Sequence, residues 1–301
     1  MKVVDAHAHV VVPGIGADVS WQDGVQVVVF GGREIRSAVR EFVDVERIVA
    51  EQDVAGVDLV VLCPWVNLLG RETRRQNDAL AGMVGERIAA LGTIDLEQPD
   101  QLVELVRDGR LAGVEVPASV GGDYLGHERF RDFWAAAEET AALVFVHPTT
   151  RGFQLPVMDD HYLWNTVGNP LETTITAAHL VASGVLDDHP RLRVLLAHGG
   201  GGLPALRGRL AHEQTFHPPG RDVLAALRRF YVDTVVHDVE VLRGLVDFFG
   251  ADRVLCGSDY PFDMGVERPA ELVRALGLPP EQEEQILGGN ALRLLGQEIP
   301  A

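Results

Sequence analysis

Short apolar runs alternate along this chain with longer stretches whose apolar residues recur at helical spacing. The runs predict eight strands, at residues 2–10, 57–63, 87–94, 111–117, 142–148, 192–199, 230–234 and 253–259. Amphipathic segments such as "DVERIVAEQDVAG" and "RFRDFWAAAEET" lie between them. Nearly continuous apolar strands that alternate with helices indicate a parallel sheet covered on both faces. Eight such units predict an α/β fold closed into a (β/α)8 TIM barrel, as one domain over residues 1–301. Two connections are long. Residues 11–36 contain "VQVVVFGGREI", a hairpin insertion turning at Gly31 and Gly32. Residues 148–172 are rich in Pro, Gly and aromatics, and a loop of that length predicts a substrate wall or lid.

The polar residues on the strands change the picture. His7 and His9 sit in the first strand, His147 closes the fifth, His198 the sixth and Asp259 the eighth. In a barrel the C-terminal strand ends meet at one mouth, where active sites are built. Side chains at i and i+2 share a face about 6.6 Å apart, so His7 and His9 can reach one ion. Ala6 and Ala8 are expected on the opposite face, and Asp5 on the histidine face, where it would orient one imidazole. Three imidazoles and a carboxylate suit Zn2+, with Mn2+ or Fe2+ as substitutes. His198, before "GGGGLP", reads either as a loop histidine beside a flexible turn or as a general base; its strand faces the open coordination position, which favours the base. Asp259 in "CGSDYPF" reads as a helix cap or as a metal ligand that also carries a proton. Glu115 is expected at a rim or in a salt bridge, with a bridge to a second metal as the other option. His127, His161, His179, His189, His212, His217 and His237 are expected to be structural or on the surface.

Composition narrows the chemistry. Against 44 acidic residues stand 26 basic ones, a net charge of -18, which disfavours nucleic acid as a partner. Lys2 is the only lysine, which disfavours Schiff-base chemistry and a carbamylated-lysine bridge and points any metal chemistry to His, Asp and Glu. Cys63 and Cys256 lie in apolar runs and are expected to be reduced packing residues. Neither a long apolar span nor a signal-peptide pattern is present in the sequence, which predicts a soluble cytoplasmic protein without membrane partners.

The motifs "DAHAHV", "GVDLVVLC", "FVHP", "AHGGGGLPALRGR", "GSDYPF" and "GGNALRLL" together resemble the amidohydrolase superfamily, and within it the aminocarboxymuconate-semialdehyde decarboxylase branch. The likeness runs from residue 5 to about residue 295. It implies that His7, His9, His147 and Asp259 bind one zinc, and that His198 acts on the zinc-bound water. It also implies a substrate-carboxylate site at Arg36, an arginine at Arg209 that reaches into the neighbouring subunit of a homodimer, and a pocket tryptophan at Trp164. The segment from Thr149 to Thr173 departs from the branch pattern. On this basis the expected activity is zinc-dependent, non-oxidative decarboxylation of an unsaturated or aromatic carboxylic acid. Hydrolysis of an amide, lactone or C–C bond at the same centre is the alternative.

Overall fold

The computed structural model describes residues 2–149, 153, 155–213, 215–216 and 221–297. His217 and part of the 148–172 loop lie outside the described residues. Strands β1 (Val4–Val10), β2 (Ala17–Gln22), β3 (Val25–Phe30), β4 (Arg33–Ala38), β5 (Leu59–Pro64) and β6 (Ile88–Ala90) come first. They are followed by β7 (Gly113–Pro117), β8 (Ser119–Val120), β9 (Asp123–Tyr124), β10 (Leu143–His147), β11 (Arg193–Leu196), β12 (Tyr231–Asp233) and β13 (Val254–Leu255). Helices separate the parallel strands, in an α/β arrangement. One parallel sheet has the order β1-β5-β6 and the other β13-β12-β11-β10-β7. A parallel bridge from Gly92 to Val114 joins them at one edge, and one from Ala8 to Tyr260 at the other.

Local chemistry explains the helices that flank these strands. Asp44 caps the helix Val45–Ala55 by accepting from the Glu46 and Arg47 amides, and Gly56 ends it at φ 78°. The helix Arg131–Thr140 buries Phe133, Trp134, Ala136 and Ala137. Residues on the outer strand faces, such as Ala8, Val10, Val144 and Val194, pack with the helices in the main core. A second apolar cluster, with Val4, Ala6, Phe145, Leu195 and Leu255, fills the space between the strands.

Between β1 and β5 the chain forms a separate antiparallel sheet, β2-β3-β4. The β3–β4 turn places Gly31 at φ 57° and Gly32 at φ 76°, the backbone sign that a two-residue hairpin turn with both centres left-handed requires.

One irregularity governs the orientation of the site. Asp5 pairs with Val60 and Ala8 with Leu62, so β1 spends three steps where β5 spends two. The extra residue is a β-bulge, which resets the alternation of faces. Val4 and Ala6 therefore point inward with His7 and His9, while Ala8 points out to the helices. Simple alternation misplaces two residues here: Ala6 is not opposite the histidines, and Asp5 is not beside them.

Asp5 faces the helix layer and pins backbone. Its carboxylate accepts from the His7 amide at 3.1 Å, the Ser258 amide at 2.9 Å, the Ser258 hydroxyl and Gln52 Nε2 at 3.2 Å. Burial pushes its pKa up to about 6 although these bonds favour the charged form. Replacing Asp5 with Ala leaves buried donors without an acceptor, each costing roughly 1–3 kcal/mol. Urea unfolding of Asp5→Ala should show a loss of about 3 kcal/mol or more; a loss under about 1 kcal/mol would contradict this role.

Candidate metal centre

All the parallel strands direct their C-terminal ends to one edge, and the site is built there. His7 and His9 project from β1 and are fully buried. His147 is the last residue of β10 and is 4% exposed. His198 and Asp259 lie beyond the strands rather than on them: β11 ends at Leu196 and β13 at Leu255. Both adopt left-handed backbone, at φ 56° for His198 and φ 57° for Asp259. Non-glycine residues held there are strained, and such strain gathers at functional sites. Gly201 closes the turn after His198 at φ 63°, and a Cβ on it would stand 2.0 Å from the Pro170 carbonyl oxygen. Only glycine fits there.

The five side chains converge. His7 Nε2 lies 3.1 Å from His9 Nε2 and 3.3 Å from Asp259 Oδ1. His9 Nε2 lies 3.4 Å from the same oxygen, and His198 Nε2 lies 3.5 Å from Asp259 Oδ2. Candidate donor atoms of His7, His147, His198 and Asp259 all fall within 4.8 Å of one another. His147 Nδ1 bonds the Pro148 carbonyl at 2.9 Å, which leaves Nε2 as the free donor atom. His147 Nε2 and Asp259 Oδ1 are buried without a hydrogen-bond partner in the protein.

A divalent ion meets these observations. Bonds of about 2.0–2.2 Å to nitrogen and oxygen separate neighbouring ligand atoms by about 3–3.5 Å. The His7, His9 and Asp259 atoms already stand at those spacings. Buried polar atoms without partners are rare, and here they point at a common centre.

Electrostatics agree. Burial works against charge on His7, but Asp259 and Asp233 outweigh it and push its imidazole up to about 10. Asp259 is held well below the usual carboxylate range: the charge on His7 and the close imidazoles of His198, His7 and His9 overcome the cost of burial. His147 is held well below its ordinary value by burial and by the neighbouring imidazoles, and His9 is lowered chiefly by burial. His9 and His147 thus offer neutral lone pairs beside a fixed negative carboxylate, and a cation bound here would take the place of the proton that the carboxylates favour on His7.

Two carboxylates surround the cluster. Asp233 is the functional candidate that the sequence reading missed. It ends β12, is fully buried, and accepts from His7 Nδ1 at 2.7 Å. It is the residue that orients an imidazole, the role expected of Asp5. The signal was available: a lone acid closing an apolar run, as Asp259 closes the next one along the chain. Glu115, on β7, is fully buried behind the histidines rather than at a rim, 3.8 Å from His9 Nδ1 and 4.0 Å from His147 Nδ1. Burial pushes its pKa well above the usual range.

Above the centre opens a cavity of about 1010 Å3, with His147 and Asp259 in its floor. Phe30, Trp65, Tyr162, Trp164 and Phe262 supply aromatic walls, and Arg33 and Arg36 lie at the hairpin side. Arg36 is engaged by Gln22 Oε1 and Glu34 Oε2, each at 3.0 Å. Trp164 packs edge-on against Tyr162, with ring centroids 4.9 Å apart. Arg209 is not part of this lining; it is exposed on the helix Leu203–Glu213. Cys63 and Cys256 are free and buried. Among the described residues no helix is long and apolar enough to cross a membrane.

Comparison with known proteins adds an independent line. The chain is 31% identical over 234 residues to the 2-amino-3-carboxymuconate-6-semialdehyde decarboxylase of Dictyostelium discoideum, covering 73% of this chain and 65% of that one. It is 36% identical over 188 residues to the 6-methylsalicylic acid decarboxylase of Penicillium expansum, covering 58% and 56%. The matches thus span less than two thirds of these relatives' length. In fold it is similar to the 5-carboxyvanillate decarboxylase of Novosphingobium aromaticivorans, solved with manganese and 4-hydroxy-3-methoxy-5-nitrobenzoic acid. The TM-score is 0.81 at 18% identity, over 98% of this chain and 96% of that one. The amidohydrolase family model matches residues 4–297, a range that contains every residue of the centre, and the chain belongs to that family.

Proposed function

We propose that this protein is a zinc-dependent decarboxylase of an aromatic or unsaturated carboxylic acid, working at the mouth of an eight-stranded barrel. The observation that carries the reading is the set of buried, unpartnered donor atoms at the floor of an aromatic-walled cavity. Decarboxylase relatives support the reaction class. His7, His9, His147 and Asp259 would hold the ion, and three imidazoles with one carboxylate suit zinc. When bound, it supplies a Lewis acid and lowers the pKa of water or of a phenol-type oxygen.

The chain's own groups do the rest. The aromatic walls take the flat face of the substrate and exclude water from it. Arg36 offers a planar fork that matches a carboxylate, once it releases Gln22 and Glu34. His198, whose Nε2 lies 3.5 Å from Asp259 Oδ2 at the cavity floor, is placed to deliver a proton to the substrate. The substrate carbon bearing the carboxylate takes that proton. The bond to the carboxylate then breaks, its electron pair returns to the ring or double bond, and CO2 leaves. Arg209 stands on an exposed helix, where it can serve the cavity of a second copy in a homodimer.

Incubation of metal-loaded protein with hydroxybenzoic, dihydroxybenzoic and muconic-type acids tests the reading. Release of one CO2 per acid consumed is expected. Two fragments without CO2 would establish hydrolysis instead, and an inert loaded protein would count against the substrate class. Arg36→Ala should raise KM by roughly 10- to 100-fold, the worth of a charge-assisted bond, with a smaller change in kcat. An unchanged KM across active substrates would remove Arg36 from the carboxylate site.

A further inference from the structure

Asp233 is used by more than one partner. Its Oδ2 accepts from His7 Nδ1 at 2.7 Å and from the His198 amide at 3.0 Å. Its Oδ1 accepts from the Gly199 amide at 2.9 Å and the Val235 amide at 3.1 Å. One fully buried carboxylate therefore grips a side chain of the metal cluster and the backbone turn that carries His198. That turn is left-handed at His198 and Gly199, a conformation that needs its amides fixed from outside.

We propose that Asp233 is a positioning residue that couples the two halves of the centre, setting the tautomer of His7 and the placement of His198 through the same carboxylate. The inference rests on the metal reading above. An ionised carboxylate only accepts, so His7 must carry a proton on Nδ1, which leaves Nε2 as the atom that faces the cluster and would bind a cation. Withdrawal of charge from Nε2 by a cation makes Nδ1–H a stronger donor to Oδ2, the oxygen that also receives the His198 amide. All four partners are donors, so an amide at this position cannot satisfy them in either orientation.

The test compares wild type with Asp233→Asn and Asp233→Ala. Zn2+ affinity is read by chelator competition, and turnover is read at saturating metal. Both variants should bind Zn2+ about 10- to 100-fold more weakly. At saturating metal kcat should stay at least tenfold below wild type with KM little changed, because the His198 turn remains loosened. Wild-type affinity in the variants would overturn the role of Asp233. Weak affinity with full turnover at excess metal would overturn the coupling and leave only a hold on His7. A wild type that takes up no metal would overturn the reading of the centre itself. One measurement needs no variant: hydrogen exchange at the His198 and Gly199 amides of wild type should slow several-fold when Zn2+ is added. An unchanged rate in a chain that has bound the ion overturns the coupling.

Discussion

Stripping the divalent ion from the purified chain should lower decarboxylation by about 1000-fold or more, with recovery on adding back Zn2+ or Mn2+. The estimate follows from the several kcal/mol that a metal Lewis acid contributes to charge stabilisation, each 1.36 kcal/mol being a factor of ten in rate. Among the described residues that line the cavity, none at the floor is another strong electrophile. Arg33 and Arg36 lie toward the hairpin, and the only lysine is Lys2, before β1. Without the ion, His7, His9 and Asp259 are left as a buried pair of imidazoles against a carboxylate. The loss should therefore show in stability as well. Binding at 1,000 times Kd stabilises a fold by about 4 kcal/mol, so Tm should rise on metal addition and fall with chelator. Metal analysis beside the rate measurement settles the matter: full activity in protein shown to be free of metal would remove the centre from the chemistry.

The second large effect belongs to His198. His198→Gln keeps the approximate size of the side chain and removes the proton carrier. It should lower kcat by roughly 100- to 10,000-fold, the usual range for a lost general acid or base. Metal content should hold near one ion per chain, because His7, His9, His147 and Asp259 remain. That combination separates His198 from the ligands: His7→Ala should lose activity and metal together. His198 is the least buried of the five, with 12% of its side chain exposed, and it approaches the cluster from beyond β11. A His198→Gln variant with normal turnover would reassign the proton to Asp259.

Much of this centre was legible in the chain. His7 and His9 show an i, i+2 spacing that survives any error in strand boundaries. His147 closes a run of buried β-branched and aromatic residues, and β10 ends on it. The strand limits near the site were less legible. Residues 192–199 and 253–259 read as continuous strands, but β11 and β13 stop at Leu196 and Leu255. Hydrophobicity marks what is buried, and the site loops are buried too, so the signal continues after the pairing ends. Asp5 and Ala6 were misplaced because periodicity counts residues and a bulge adds one. Asp233 escaped because its partner His7 is 226 positions away, a contact that only tertiary folding creates.

The bulge in β1 also bears on how the molecule assembles. A strand whose extra residue has one seat cannot slide along β5 by a single step and keep its pairing, since every side chain beyond the slip would change face. Such a slip would turn both imidazoles toward the helices. With the proposed ligands, metal capture during refolding would report strand register: chains that take up the ion would be those whose first strand has locked in the correct frame.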